Sequence, residues 1–305
     1  MEKIKDIELK EGVSPTQIVK GMKQAGFQAS HLGEAVELIE RMKQENCTLF
    51  LGFTANLVAS GLRGIIRELC EKGFADAIVT TAGSVDHDII KSFRPYLLGS
   101  FNADDVELHQ KGVNRLGNIF AETKGFELLE EKMQAWLKEL YGKEKCVSPS
   151  TLTQFLGEKL PEQSFLHHCS KNGIPVFCPG ITDGAIGLQM HFFKQENPDF
   201  CVDVTKDLKQ LSGKVLLAEK TGAIILGGGI SKHHIIGANI VRNGLDYAVY
   251  VSTASEFDGS LSGAQTREAK SWGKIKERGS SVQVNCDATI AFPLMASALK
   301  EKGLL

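Results

Sequence analysis

The sequence has no CxxC pair, no long apolar run and no excess of charge of either sign, and each absence excludes a class of protein. Seven scattered cysteines indicate neither a zinc ribbon nor a disulfide framework, so reduced thiols in a cytoplasmic protein are expected. With 35 Lys and Arg against 37 Asp and Glu, the formal net charge is -2, which predicts binding neither to nucleic acid nor to a membrane surface. No apolar run reaches the length of a membrane span, and the charged start of the chain lacks the apolar region of a signal peptide.

Short apolar runs rich in Val, Ile and Phe alternate with amphipathic segments, as is typical of strands that helices cover on both faces. The apolar runs are residues 47–53, 75–81, 174–180, 222–228, 247–253 and 281–286. The amphipathic segments are residues 14–26, 31–44, 56–73, 125–143, 151–160, 164–173 and 231–244. This alternation predicts an α/β fold with a doubly wound, mostly parallel Rossmann-like sheet and helices on both faces. We expect a single domain over 1–305, with 94–123 as an irregular excursion.

Ligands bind outside the carboxyl ends of the strands in an open parallel sheet, and four predicted strands end in small hydroxyl, glycine or acidic residues. The "GGG" of 227–229 would let the backbone approach a phosphate, and the helix after it presents free N–H groups. It does not match GxGxxG, and alone it is more typical of a tight turn. Together with "TTAG" (80–83) and "TDG" (182–184), it favours a dinucleotide site. Three aspartates could bind ribose hydroxyls or cap helices, and both alternatives stay open for Asp183, Asp258 and Asp287.

Two basic sites are candidates for chemistry: a pair of adjacent histidines and one lysine. His233 and His234 are adjacent, so on a helix they point about 100° apart and do not form a metal pair; no metal site is predicted. Either histidine could be a general base or a surface residue. Lys274 follows Trp272 closely, and an apolar wall would lower the pKa of a lysine nucleophile. Glu268 could pair with an amine, although composition and spacing alone favour a solvated lysine.

The motifs along the chain resemble the deoxyhypusine synthase family in its archaeal form. The resemblance extends over residues 10–300 and is most specific in its C-terminal part. It implies an NAD-dependent transferase that moves the aminobutyl group of spermidine, through an imine on an enzyme lysine, to one lysine of a translation initiation factor 5A-type protein. The motifs that carry it are "TANLVASG", "TTAGSVDHD", "TDGAIG", "GGGISKHH", "NGLDYAVYVSTASEFDGSLSGA" and "EAKSWGKI".

The resemblance also implies roles for individual residues. The family's catalytic lysine corresponds to Lys274 and its base to His233, while Glu268 and Trp272 would bind the substrate. It implies a cytoplasmic homotetramer whose sites lie at a subunit interface. The positions implied for NAD are Asn56, Thr81, Ala82, Gly83, Asp183, Gly227, Gly228, Gly229, Thr253, Asp258, Ser262 and Asp287.

Four positions depart from the eukaryotic pattern of the family. Leu188 and Leu261 replace acids that contact spermidine, Gly237 replaces an asparagine, and His87 replaces a glutamate near the cofactor. Fewer acids would weaken the hold on a distal ammonium, which leaves an alternative: a homospermidine synthase-like enzyme that transfers the aminobutyl group to putrescine or another small amine. A protein that binds NAD without catalysis, as a partner of an active paralogue, is a further alternative. So is another NAD-binding α/β enzyme with a different reaction.

Overall fold

A computed structural model describes residues 3–305, in which strands and helices alternate along most of the chain. The strands are β1 (Thr48–Phe53), β2 (Ala77–Val79), β3 (Leu97–Leu98), β4 (Val113–Leu116), β5 (Ile119–Glu122), β6 (Cys146–Val147), β7 (Val176–Phe177), β8 (Cys201–Val202), β9 (Thr221–Leu226), β10 (Leu245–Val251) and β11 (Ile275–Val284). The helices are α1 (Pro15–Met22), α2 (Phe27–Gln44), α3 (Ala55–Ala59), α4 (Arg63–Glu71), α5 (Ala82–Phe93), α6 (Asp105–Gln110), α7 (Thr123–Lys143), α8 (Pro149–Lys159), α9 (Phe165–Lys171), α10 (Ala185–Glu196), α11 (Thr205–Leu217), α12 (Gly229–Ala238), α13 (Thr266–Ser271) and α14 (Ala288–Glu301). None of these helices is both long and apolar enough to cross a lipid bilayer.

The described chain divides into two compact units, and each is built from segments that are separated in the sequence. The first unit comprises the chain up to Phe53, together with Phe74–Val79 and Lys209–Leu305. The second comprises Thr54–Gly73 and Thr80–Leu208. Because the chain passes between the units four times, neither unit corresponds to one continuous segment. The single domain over 1–305 stays a prediction.

The first unit contains a parallel sheet with the strand order β11-β10-β9-β1-β2. The predicted strands at 47–53, 222–228 and 247–253 correspond to β1, β9 and β10 within two residues. The last strand begins at Ile275, six residues before the predicted 281–286. Its first half, "IKERGS", has the composition of a polar turn. Within this unit β11 pairs only with β10 and is therefore an edge strand, and edge strands tolerate charged residues.

Helices cover both faces of this sheet, as two glycines demonstrate. Gly222 lies opposite Leu49 in the register of β9 and β1, and a Cβ placed on it would lie 2.8 Å from the sulfur of Met42 in α2. Gly52 is three residues after Leu49 and so faces the other side, where its Cβ would lie 2.7 Å from Ile235 in α12. The prediction of a doubly wound, Rossmann-like α/β sheet is confirmed.

The second unit is mainly helical and contains a small antiparallel sheet that was not predicted. The segment 94–123 forms β3, α6, β4 and β5, with the strand order β3-β5-β4. Gly117, at φ +62°, and Asn118 connect β4 to β5. A Gly-Asn pair between two short strand-like runs is a recognised hairpin signal, so this element was predictable. The expectation of an irregular excursion was wrong.

The predicted helix over 56–73 is divided into α3 and α4. The ammonium group of Lys91 donates to the carbonyls of Val58, Ala59 and Ser60 at 2.8, 2.9 and 2.6 Å. These carbonyls lie at the carboxyl end of α3, where a cation replaces the missing intrahelical donors. Burial lowers the pKa of Lys91 to about 8. A break supplied by a distant side chain is not visible in the local sequence.

A buried ion pair organises the second unit. Asp88 is fully buried, and its Oδ1 accepts a hydrogen bond from Arg63 Nε at 2.6 Å. Its Oδ2 accepts from the hydroxyl of Ser164 at 2.6 Å and from the N–H of Leu166 at 3.1 Å. The carboxylate therefore caps the start of α9 and neutralises the guanidinium at the start of α4.

Replacing Asp88 with Asn should lower the free energy of unfolding by about 3–5 kcal/mol, since the guanidinium of Arg63 would stay buried without its counter-charge. Urea unfolding followed by circular dichroism, at fixed protein concentration, measures the change. Asp105→Asn is the matched control, because Asp105 forms a two-bond pair with Arg115 at the surface. The control should unfold as the wild type does. Equal effects of the two substitutions would contradict the structural role of Asp88.

Candidate active site

The "SWGK" motif is a helix stop that fixes the position of Lys274. The N–H of Gly273 donates to the carbonyl of Lys270 at 3.0 Å, and the N–H of Lys274 donates to that of Ala269 at 2.9 Å. These two bonds form a Schellman motif at the end of α13, which requires a residue in the left-handed region after the last helical turn. Gly273 provides it, with φ +65°. Lys274 therefore stands at the junction where α13 gives way to β11.

The four residues predicted for catalysis and substrate binding line one cavity of about 200 Å³ in the first unit. α12 supplies His233, while the end of α13 and the turn after it supply Glu268, Trp272 and Lys274. The residues that complete the lining are Lys232, Ile236, Gly259, Leu261, Ala264, Gln265 and Ala269. Residues from α12 and α13 and from the loop between β10 and α13 thus surround one space, although they are more than 40 positions apart at the extremes.

Lys274 and Trp272 contact each other across this cavity. The Nζ atom lies 5.2 Å from the centroid of the indole ring, within the range of a cation–π interaction. Lys274 is half-buried, whereas Trp272 is 66% exposed. Nζ has no hydrogen-bond or ion-pair partner in the part of the chain that the structure describes. Within one chain, the indole forms a wall on one side of the amine and leaves it reachable.

Glu268 and His233 are exposed at the same cavity. Among the lining residues, Glu268 is the acidic one, and no hydrogen bond or ion pair to its carboxylate is found within residues 3–305. A free carboxylate facing a small cavity is suited to bind a cationic amine. His234, the next residue in α12, differs from His233 in its burial. Its Nε2 is buried without a partner among the described residues, and burial lowers the pKa of its imidazole.

The triple glycine forms a tight turn into α12, and each glycine has a reason. Gly227 and Gly229 have φ +89° and +63°, which favours residues without a side chain. A Cβ on Gly228 would lie 2.6 Å from the Cα of Ser262. The N–H of Gly229 donates to the hydroxyl of Ser262 at 3.0 Å. The structure thus brings two predicted cofactor positions, Gly228 and Gly229, against a third, Ser262.

The predicted cofactor positions after β10 and β11 are exposed. Thr253 and Asp258 lie in the loop that follows β10. Hydrogen bonds from the side chain of Ser260 and from its N–H, the latter at 2.7 Å, lower the pKa of the Asp258 carboxyl group. Asp287 follows β11 and accepts from the N–H of Thr289 at 2.7 Å. Asp287 is therefore the N-cap of α14, and the helix-capping alternative describes its contacts in the structure.

The remaining cofactor positions lie in the second unit. Thr81 is the N-cap of α5, and its hydroxyl is buried without a hydrogen-bond partner among the described residues. Ala82 is buried, and a Cβ on Gly83 would lie 2.9 Å from that of Ala55. Asn56 is exposed and accepts from the hydroxyl of Thr54 at 2.5 Å.

Asp183 is exposed in the second unit and, with Leu188, lines a cavity of about 650 Å³. Gly184 is the N-cap of α10, and no side-chain capping bond is found at this helix start among residues 3–305.

Two of the positions that depart from the eukaryotic pattern have well-defined surroundings. Gly237 lies in α12 with His233 Cε1 3.9 Å from where its Cβ would be, so a larger residue would contact that imidazole. His87 is buried, its Nδ1 is 2.8 Å from the hydroxyl of Tyr96, and burial lowers its pKa to about 4. His87 therefore contributes no positive charge at neutral pH.

A family model described as deoxyhypusine synthase matches residues 17–299. The chain belongs to the deoxyhypusine synthase family. This confirms the resemblance carried by the motifs, and since deoxyhypusine synthases are transferases, it also confirms the prediction of a transferase.

Named relatives and solved structures agree with the deoxyhypusine synthase family. The deoxyhypusine synthase of Senecio vernalis is 42% identical over 326 residues, covering 97% of this chain and 88% of the relative. A "Probable deoxyhypusine synthase" from the archaeon Thermoplasma acidophilum is 45% identical over 272 residues, 88% of each chain. A crystal structure of a candidate deoxyhypusine synthase from Entamoeba histolytica matches with a TM-score of 0.72 at 28% identity, covering 97% of this chain and 96% of that chain.

One lysine of this deoxyhypusine synthase family member was missed by the sequence reasoning. Lys232 lines the same cavity as Lys274 but is 2% exposed. The buried positions of α12 include Ile235 and Ile236, three and four residues further on. The 3.6-residue period therefore places Lys232 on the buried face, which is a signal that the sequence contains.

Replacing Gly273 with Ala should lower the free energy of unfolding by about 1–2 kcal/mol, because a Cβ is disfavoured in the left-handed region. Apart from Gly273 itself and its two chain neighbours, no described residue has an atom within 4 Å of the added Cβ, so the cost is one of backbone conformation. The displaced turn should also lower aminobutyl transfer, since it carries Lys274. Urea unfolding and a steady-state activity assay measure the two effects.

Gly142→Ala is the control, because Gly142 lies in the helical backbone of α7 with equally open space around it. Alanine is preferred there, so the control should not lose stability. Unchanged stability and activity of Gly273→Ala would contradict the proposed need for the left-handed turn.

Proposed function

We propose that the protein is a deoxyhypusine synthase that transfers the aminobutyl group of spermidine, in an NAD-dependent reaction, to one lysine of a translation initiation factor 5A-type protein. The proposal depends chiefly on one observation: Lys274, His233, Glu268 and Trp272, which match the family's motifs, line a single cavity. The reaction class follows from membership of the family. The cofactor, the covalent intermediate and the roles of individual residues are parts of the proposal.

The residues present fit the proposed cofactor. When bound, NAD would accept a hydride from the substrate and return it at the end of the reaction. The glycine turn at Gly227–Gly229 offers a close backbone approach at the start of α12, a setting suited to a pyrophosphate. The buried hydroxyl of Thr81, which lacks a partner among the described residues, is suited to bind a polar ligand group. The other residues proposed to hold NAD are Asn56, Ala82, Gly83, Asp183, Thr253, Asp258, Ser262 and Asp287.

The side chains of the cavity would divide the chemistry among them. Glu268 would bind an ammonium end of the substrate, and Trp272 would lie against its alkyl chain or cation. His233 would take the proton from the nitrogen that becomes an imine. The ε-amine of Lys274 would then bond to the imine carbon, while the bond from that carbon to 1,3-diaminopropane breaks and the leaving amine takes up a proton. The lysine of the acceptor protein would displace Lys274 in the same way. Because the hydride would return to the product at the end of the reaction, no external oxidant is consumed.

A homotetramer with shared sites would complete a cavity that one chain leaves partly open. Trp272 is 66% exposed, and Phe257, in the loop that supplies Gly259 and Leu261 to the cavity, is 91% exposed. Exposed aromatic groups around a cavity are typical of surfaces that a partner covers. A neighbouring subunit over this face would exclude water from Lys274. The acceptor protein would be met in the cytoplasm.

The cavity also favours a second candidate function, transfer of the aminobutyl group to putrescine or a similar small amine. Leu261 is part of the lining, and Glu268 is the acidic residue among the described residues around the cavity. A polyamine with several ammonium groups would find one carboxylate there. With putrescine as the acceptor, its one distal ammonium would be matched by the one carboxylate of Glu268.

Lys274→Arg should abolish aminobutyl transfer, because arginine keeps the positive charge but does not provide a neutral amine. The assay incubates the protein with NAD and labelled spermidine, adds borohydride, and locates the label by mass spectrometry of peptides. We expect release of 1,3-diaminopropane and label on Lys274. Lys270→Arg is the control. Lys270 lies four residues before Lys274, and its ammonium group donates to the carbonyls of Glu277 and Gly279. This variant should retain activity.

The fate of the label separates the candidate functions. Label on a lysine of the translation factor supports deoxyhypusine synthesis, and label on putrescine alone supports the second candidate. Bound NAD without release of 1,3-diaminopropane under any condition would identify a non-catalytic binding protein and overturn both.

A further inference from the structure

We propose that Lys232 is a positioning residue, whose buried ammonium group fixes the loop between β10 and α13 against α12 and so sets one wall of the cavity. Its Nζ donates to the carbonyls of Ser262, at 3.4 Å, and of Ala264. These carbonyls belong to the part of the loop that also supplies Leu261 and Ala264 to the cavity lining. The proposal concerns geometry first, and its effect on transfer rests on the function proposed above.

The burial of Lys232 requires an explanation. Lysine side chains usually keep the ammonium group in water, yet this residue is 2% exposed. Its Nζ lies 4.5 Å from the centroid of the Tyr250 ring, so an aromatic face and two carbonyl oxygens replace water around the charge. No ion pair to this residue is found within residues 3–305. A buried charge without a carboxylate partner does little for stability, which points to a role in placing the loop.

The loop also touches α12 beside Lys232, so the ammonium is one of two connections. The hydroxyl of Ser262 accepts from the N–H of Gly229 at 3.0 Å, and a Cβ on Gly228 would lie 2.6 Å from the Cα of Ser262. The loop folds closely upon itself as well, because a Cβ on Gly263 would lie 1.6 Å from the carbonyl oxygen of Ser255. The glycine turn fixes the loop at Ser262, and Lys232 continues the contact towards the cavity.

Lys232 has a different task from Lys274, although both line the cavity. The Nζ of Lys232 points to backbone carbonyls and is enclosed, so a substrate carbon cannot reach it. Lys274 is half-buried and no partner for its Nζ is found among the described residues. Accessibility therefore assigns the nucleophile to Lys274 and leaves the fixed ammonium to Lys232.

The principal test is Lys232→Met, which keeps the length and apolar stem of the side chain but removes the charge and the donors. Cleavage of the native protein by a protease of broad specificity, followed by mass spectrometry, reports whether the loop over 252–265 has become loose. We expect cleavage in this loop to accelerate about tenfold or more, as the loss of hydrogen bonds from a charged donor implies. The measurement needs neither cofactor nor activity, so it is independent of the proposed function.

The matched control is Lys270→Met. Lys270 also donates to two backbone carbonyls, those of Glu277 and Gly279, but it is not part of the cavity lining. Lys270→Met should leave cleavage of the 252–265 loop unchanged. Equal loop cleavage in wild type and Lys232→Met would overturn the proposal, as would borohydride-trapped label on Lys232, which would make this residue the nucleophile.

Separate measurement of the KM for the amine and of label trapping on Lys274 gives a second readout. For a positioning residue, Lys232→Met should raise the KM for the amine by about tenfold or more, while label trapping on Lys274 persists. Complete loss of trapping together with unaltered loop cleavage would contradict the positioning role. Absence of activity in the wild type as well would reject the proposed function and leave the loop measurement standing.

The pH dependence gives a third readout. Burial lowers the pKa of Lys232 to about 8, and the charge of Glu268 on α13 acts in the opposite direction. The other titratable groups near it are His233 and His234 on α12, Lys274 at the cavity and Tyr250 on β10. The ammonium is present below pH 8 and is lost as the pH rises through that value. The neutral amine still has N–H donors for the two carbonyls, and opening of the loop would expose Lys232 to water and raise its pKa, so loss of the charge should favour the closed loop.

Loop cleavage in the wild type should therefore decrease as the pH rises through 8, whereas Lys232→Met should show no such step. A step that persists unchanged in Lys232→Met would assign the titration to another group and count against the proposal. The linkage to stability has the same sign: the folded-state pKa lies below the unfolded value of about 10.4, so the charged form is disfavoured by folding and this residue's contribution to stability grows between these pH values.

Discussion

The close approach of Gly228 to Ser262 is the constraint on which the site depends. A side chain on Gly228 would overlap the backbone of Ser262, so the loop after β10 can meet the start of α12 only at a glycine. The parallel strands β9 and β10 deliver these two segments to the same edge of the sheet, as in other doubly wound folds. Contact at that edge brings Leu261 and Ala264 into the lining of one cavity with His233. The cavity is thus a consequence of strand direction and of one position without a Cβ.

Much of this fold could be predicted because its signals are local. Apolar runs of seven residues identified β1, β9 and β10 to within two residues, since strands buried on both faces carry a strong hydrophobic signal. The errors occurred where distant residues decide. α3 ends where Lys91, more than 30 positions away, binds its last carbonyls, and β11 begins in a charged segment because pairing with β10 outweighs composition. The division into two units depends on contacts between separated segments, which periodicity does not record.

The residues proposed for the site were identified by motif more than by physical pattern. "SWGK" identified Lys274, and the structure supplies the reason for its spacing, because Gly273 must follow the last turn of α13 in the left-handed region. Asp287 was ambiguous between ribose binding and helix capping, and only the bond from the N–H of Thr289 reveals the cap. Lys232 was overlooked since "SKHH" reads as a polar surface segment. Its partners, Tyr250 and the carbonyls after Leu261, lie 18 or more positions further along the chain.

The two lysines of the cavity illustrate how environment separates residues of one type. An ammonium group bonded to carbonyl oxygens has its protons engaged and its approach blocked, so it is suited to hold structure. An amine that faces open space beside an aromatic ring can present its lone pair once it is deprotonated. The carbonyl dipoles around Lys232 reduce the field that its charge projects into the cavity. Glu268 can then bind an ammonium with less opposition, which connects the position of the loop to the recognition of the amine.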